Sequence, residues 1–263
     1  MSMSSQDIPG YSEIVKTIKA YGEPLCLSIG GSHAYGLDTE DSDYDLIGCF
    51  RFPTANILSI YKYDETLHKA NKKCPHCDES AKKDCSCCLG TGFISDYTFH
   101  EVGKLFDLAT SCNPAILEMF YIEPVLKNEI WDLIVENRDM FLSTRLRASY
   151  GGYAKQQLAK KKLREEQGME GYSPKTRYRD KKHTRHIVRL FLQERQLLTY
   201  GEITPFLSDK EKELCLDAQN WNSDKLKTWM DKQTLELLEI NNNIKPVPDY
   251  KRINRILLEI RGL

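Results

Sequence analysis

Hydrophobic and polar positions along the chain recur regularly enough to predict most of its elements. Leu25, Leu27 and Ile29 alternate with Cys26 and Ser28, the period-two pattern of a strand with one face in a core. Leu46 to Phe50 is a second apolar run and Phe93 to Thr98 a third. Ahead of the first strand, Ile14, Val15, Ile18 and Tyr21 share one helical face after Ser12, and Gly22-Glu23-Pro24 ends that helix. Residues 51–69 read as a loop with one or two short strands. Phe99 to Cys112 reads as a helix with Val102, Leu105, Phe106 and Ala109 as its buried stripe, and Ala115 to Tyr121 is another apolar element. From Trp131 onward strand signals are few. Helices are expected over 143–166, 178–200, 208 onward with a Ser208–Glu211 capping box, 224–241 and 250–263, with a turn at 168–174. On 224–241, Leu226, Trp229, Met230, Leu235 and Leu238 are available to pack. The expected fold class is α/β (α+β), with a short mixed sheet in 1–141 and a helical domain in 142–263.

Between the first two strands lies GGSHAYGLDTEDSDYD. Gly30 and Gly31 allow a sharp turn that a ligand can approach closely, and Ser32 offers a hydroxyl and an N–H to phosphate oxygens. Asp43 and Asp45 stand at i and i+2, which in a strand point to one side. Two carboxylates that close repel unless a divalent cation lies between them, and Mg²⁺ takes oxygen ligands together with substrate phosphates. A glycine-serine turn facing paired carboxylates is what two-metal phosphoryl or nucleotidyl transfer requires. The competing reading is a solvated acidic loop.

The cysteines alter the picture. Five of the nine fall within residues 74–88, as Cys74-x-x-Cys77 and Cys85-x-x-Cys88 plus Cys87. This crowding points to metal in a reducing cytoplasm rather than to disulfides. Two such pairs fit a closed, structural Zn²⁺ site, with the insert spanning about 70–92. Cys87 or His76 could replace one ligand. The second pair continues as C-x-x-C-x-G-x-G and resembles the zinc knuckles of DnaJ-type cysteine-rich domains. Such a knuckle serves as a structural clip or as a docking surface for a protein partner.

Net charge is −1, so any nucleic-acid surface must be local. Lys155 to Arg189 holds twelve basic residues against four acids, with Tyr153, Tyr172 and Tyr178 interleaved. Such a tract attracts triphosphate or a nucleic-acid backbone, although single lysines are ordinarily solvated. Lys182, His186 and Arg189 share a helical face, extended by Gln193. No apolar run approaches a membrane span, and the first residues lack a signal-peptide pattern.

The string GSHAYGLDTEDSDYDLIG resembles the DNA polymerase β-type nucleotidyltransferases, in particular the RlaP subgroup associated with RNA ligase. Gly31, Ser32, Ala34, Tyr35, Gly36, Leu37, Ser42, Asp43 and Asp45 carry the match. The resemblance implies NMP transfer from an NTP by two Mg²⁺ ions. It also implies an RNA 3′ end as acceptor, with a protein or small molecule, or an idle docking module, as alternatives. It implies a third carboxylate at Asp96, ahead of Glu101, Lys104, Asn113-Pro114 and Glu118, with Asp64 and Glu118 in reserve. It places Gly31, Ser32, Ser42, Lys182, His186 and Arg189 toward the nucleotide.

Overall fold

The structure is a computed structural model of the chain that describes residues 5–39, 42–60, 62–70, 72–77, 84–166 and 174–263. It divides into two compact units. The first takes Met1–Ala109, Met119–Phe141 and Asp249–Leu263; the second takes Thr110–Glu118 and Leu142–Pro248. The expected split was 1–141 and 142–263; here the last helix belongs to the first unit and a short segment around Asn113 to the second.

The first unit opens with α1 (Tyr11–Tyr21), β1 (Glu23–Ile29), α2 (Gly31–Tyr35), β2 (Asp45–Arg51), α3 (Thr54–Ile57), β3 (Thr66–Lys69) and β4 (Asp96–Glu101). α4 (Val102–Thr110) leads out of it and α5 (Pro114–Met119) leads back. β5 (Pro124–Lys127) and α6 (Glu129–Glu136) follow. The sheet has the order β3-β4-β2-β1-β5. β2 and β4 are parallel, and the other neighbours are antiparallel. The sheet is therefore mixed, as its sequence pattern predicts.

The core of this unit gathers Ile14 and Ile18 of α1 against Leu27, Leu46, Phe50 and Phe99 of the sheet, all essentially inaccessible. Each large side chain so placed contributes about 1.5–3 kcal/mol of apolar burial. The expected helix from Phe99 begins later. Tyr97, Phe99 and Glu101 are buried in alternation, so the strand runs on to Glu101, and Val102, Leu105, Phe106 and Ala109 line the helix that follows. α3 and β5 were not foreseen; four-residue elements leave too few periods to read.

Glu101 explains why the chain's last helix belongs here. It is 1% exposed, and its carboxylate accepts from Arg261 Nη1 at 2.6 Å, Gly103 N–H at 2.7 Å and Phe52 N–H at 3.2 Å. Arg261 lies on α11 (Tyr250–Arg261), whose apolar stripe Ile253, Ile256 and Ile260 is buried.

The second unit is helical. Among its described residues are α7 (Arg145–Glu166), α8 (Pro174–Tyr200), α9 (Asp209–Ala218) and α10 (Ser223–Leu238). α8 begins at Pro174, a residue suited to a first helical turn, rather than at Tyr178. The expected turn at 168–173 lies outside the described residues. The Ser208–Glu211 capping box is formed, Glu211 Oε2 accepting from the Ser208 N–H at 2.8 Å. On α10 the buried phase is Leu226, Met230 and Leu237. Leu235 and Leu238, expected to pack, are 66% and 62% exposed because they fall on the opposite side.

Candidate functional site

The site grows from the junction of β1 and β2. β1 ends at Ile29, and the Gly30 N–H donates to the Asp45 carbonyl at 2.8 Å, tying that end to the start of β2. Gly31 follows with φ +64. A Cβ built there would lie 2.5 Å from Asp45 Oδ2, so the turn closes directly on the carboxylate. Glycine is required here both for the backbone conformation and for the close approach.

β4 runs parallel to β2, and Asp45 is the register partner of Asp96. Each is the first residue of its strand. Paired residues on neighbouring strands, about 4.8 Å apart, project from the same face. Asp43 precedes Asp45 by two residues. Both are exposed, while Tyr44 between them stacks on His33 with ring centroids 4.4 Å apart and planes parallel within 1°. The connecting loop is held by that same histidine. His33 Nε2 lies 3.3 Å from the Ser42 carbonyl, and Nδ1 lies 3.4 Å from Asp38 Oδ2. The Ser42 hydroxyl accepts from the Thr39 N–H at 2.9 Å. No local signal marks His33, because a stacking pair eleven residues apart has no period.

The reserve carboxylates lie elsewhere. Asp64 precedes β3, and Glu65 O accepts from the Glu101 N–H at 2.8 Å, so Asp64 stands near the opposite end of β4 from Asp96. Glu118 belongs to the second unit and is 3% exposed.

Glu118 instead organises the stripe on α8. Its Oε2 accepts from Arg189 Nη1, in a very short contact, and from Gln193 Nε2 at 2.8 Å. Arg189 Nη2 donates to His186 Nδ1 at 2.9 Å, which leaves the histidine proton on Nε2. Burial, followed by the Arg189 charge, pushes His186 down to about 3, so it is neutral. The shared helical face is present, but the Arg189 fork is engaged by Glu118 and is 5% exposed.

Much of the remaining basic tract is also paired. Lys161 is buried against Glu165 at 3.2 Å, and Arg164 meets the buried Asp180 at 2.6 Å. Lys155, Lys160, Lys181 and Lys182 are exposed. The side chains of Tyr172, Lys175, Arg177, Tyr178 and Arg179 lie outside the described residues.

The cysteine insert forms one cluster. The sulfurs of Cys74, Cys77, Cys85 and Cys88 all lie within 4.8 Å of one another. Cys74 and Cys85 are 3.8 Å apart, and Cys77 and Cys88 3.5 Å. Four thiolates about 2.3 Å from a tetrahedral Zn²⁺ stand about 3.8 Å from each other, so the donor set is compatible with zinc. The His76 N–H donates to Cys74 Sγ at 3.4 Å, and Gly90 and Gly92 have φ of 82 and 78, as a knuckle turn demands. Neither alternative ligand joins the group. His76 is 58% exposed, with Nε2 3.6 Å from Glu13 Oε1.

The chain belongs to the RlaP family, the RNA repair pathway DNA polymerase beta family, whose profile matches residues 23–257. It is 30% identical over 135 residues to an uncharacterized 38.9 kDa protein from the nrdC-mobD intergenic region of Enterobacteria phage T4. That match covers 49% of this chain, which thus spans about a third (36%) of the curated relative. Among solved structures, a nucleotidyltransferase-like protein from Exiguobacterium sibiricum 255-15 aligns at 11% identity. The alignment covers 87% of this chain and 77% of that one, with a TM-score of 0.32.

Proposed function

We propose that the protein transfers a nucleoside monophosphate from an NTP to a hydroxyl, with an RNA 3′ end as acceptor. The observation that carries this is the Asp45–Asp96 register pair with Gly31 pressed against Asp45. Gly31 and Ser32 hold the β- and γ-phosphates of the NTP, and the Gly31 turn keeps them beside the carboxylates. Ser42, hydrogen-bonded to Thr39, orders the loop that presents Asp43. The carboxylates of Asp43, Asp45 and Asp96 are hard oxygen donors on adjacent backbone positions, a set suited to Mg²⁺. Two Mg²⁺ ions held there would supply acidity to the attacking hydroxyl and charge stabilisation for the departing pyrophosphate. The hydroxyl oxygen bonds to the α-phosphorus as the bond to the β-phosphate oxygen breaks. Asp96 takes the hydroxyl proton.

The acceptor assignment draws on the family's RNA-repair association and on the exposed lysines of the second unit, which suit a phosphate backbone. Zn²⁺ in the four-cysteine cluster is structural in this reading, because four thiolates leave no open coordination position. Incubation with labelled ATP, CTP, GTP or UTP plus total RNA and total protein tests the proposal. Label in RNA supports it. Label in protein alone moves the acceptor, and no label with any NTP removes the activity.

A further inference from the structure

The cysteine cluster lies on the same hairpin as Asp96. β3 and β4 pair antiparallel, with Lys69 opposite Tyr97. Beyond that rung the two strands continue as a narrower stem. The Ile94 N–H donates to Lys72 O at 3.0 Å, Lys73 bridges Phe93, and the Cys74 N–H donates to Gly92 O at 2.8 Å. The four sulfurs close the far end of this stem. Asp96 falls between the last β3–β4 rung and the first rung of the stem, so it is fixed from both sides.

The same stem grips the segment ahead of α1. Both the Ser95 N–H and the Ser95 hydroxyl donate to Pro9 O at 2.9 Å, and the Gly10 N–H donates to Cys87 O at 2.6 Å. Gly10 has φ +77, and a Cβ there would lie 2.3 Å from Ile94 Cβ, so the two segments are in direct contact. Among the described residues, the two Ser95 bonds to Pro9 O thus lead to a segment that the knuckle itself binds through Cys87 O.

We propose that Zn²⁺ in this cluster holds Asp96 in register with Asp45, so that occupancy of the structural ion sets the divalent-cation affinity of the carboxylate site. This rests on the reading of Asp43, Asp45 and Asp96 as magnesium ligands. Four thiols alone gain nothing by meeting at these distances, and closing a connection as long as residues 70–95 costs entropy that the ion offsets. Without the ion the stem opens from its far end, and the start of β4 is the next part of the sheet to lose support. Asp96 is a ligand in this scheme, and the cysteines are positioning residues.

The test uses the intact wild-type protein, before and after zinc removal with TPEN and gel filtration. Metal analysis of the untreated protein is expected to give one equivalent of zinc; iron, or no metal, overturns the proposal. Hydrogen exchange at the Ile94 and Ser95 amides is expected to accelerate on zinc removal, while the Gly30 amide, bonded to Asp45 O, keeps its protection. Mn²⁺ binding followed by electron paramagnetic resonance is expected to weaken on the order of tenfold, the scale typical of lost support for a metal ligand. In Asp96→Asn, Mn²⁺ affinity is expected to be low already and indifferent to zinc. Unchanged Mn²⁺ affinity after zinc removal, or equal loss of protection at Gly30 and Ile94, overturns the proposal. If instead Asp43→Asn with Asp45→Asn leaves Mn²⁺ binding intact, the carboxylate reading fails, whatever the zinc result.

Discussion

Asp45 and Asp96 face each other across a parallel strand pair, each the first residue of its strand. Two carboxylates placed this way repel unless a divalent cation lies between them, and the proposed magnesium site depends on this pair.

Replacing Asp43 and Asp45 together by Asn is expected to abolish NTP-dependent transfer, by at least about 10³-fold, since cation-mediated charge stabilisation is worth several kcal/mol. Both side chains are exposed, so thermal unfolding is expected to stay within about 0.5 kcal/mol of wild type. Transfer that survives the double substitution removes the mechanism.

Gly31→Ala places a methyl group 2.5 Å from Asp45 Oδ2 in a backbone of φ +64. The backbone alone costs about 1–2 kcal/mol. The turn or the carboxylate must also shift, and a displacement near 1 Å is expected to lower kcat/KM about 10²-fold. Steady-state kinetics beside a denaturation curve separate the two effects. An alanine variant with wild-type kinetics would show that the turn takes no part.

Arg189→Met leaves Glu118 buried and uncompensated and is expected to cost about 3–5 kcal/mol of stability in urea unfolding. Adding Glu118→Leu is expected to recover most of that loss, because the pair is then replaced by apolar groups. If the double variant is as unstable as the two single losses added together, the guanidinium has another essential partner.

Two groups of the second unit set opposite pH slopes. His186 is held down at about 3 from an ordinary 6.5, by burial and then by the Arg189 charge. The unfolded chain binds that proton where the fold rejects it, so its contribution to stability falls as pH drops from 6.5 toward 3. Glu194 is raised from 4.5 to about 7 by burial. The fold keeps that proton where the unfolded chain releases it, so this contribution falls as pH rises from 4.5 to 7. Glu194→Gln is expected to flatten the decline of Tm between pH 5 and 8 relative to wild type. An unchanged decline refutes the assignment.

The strand at 25–29 is legible from the alternation of Leu25, Leu27 and Ile29, and the one at 46–50 from a continuous apolar run; β1 is nonetheless buried on both faces, Cys26 and Ser28 included, so its expected one-sided burial does not hold. The stripe of α4 was legible too, but not its start, since Phe99 and Glu101 satisfy a strand period and a helix period alike. In the basic tract, Lys161, Arg164 and Arg189 read the same in sequence as the exposed Lys155 and Lys160. Their partners Glu165, Asp180 and Glu118 sort them, and only one of those partners is a helical neighbour.

By itself the sequence determined the glycine-serine turn, the Asp-x-Asp spacing, the paired cysteines and the helical second half. Each is written within a few consecutive residues, where backbone geometry fixes what can face what. The tertiary structure alone decided the register of Asp45 against Asp96, the stacking of His33 on Tyr44, and the extension of the β3–β4 hairpin by the cysteine insert. Strand register and ring stacking join positions far apart in the chain, and no local period records which distant partner a residue will meet.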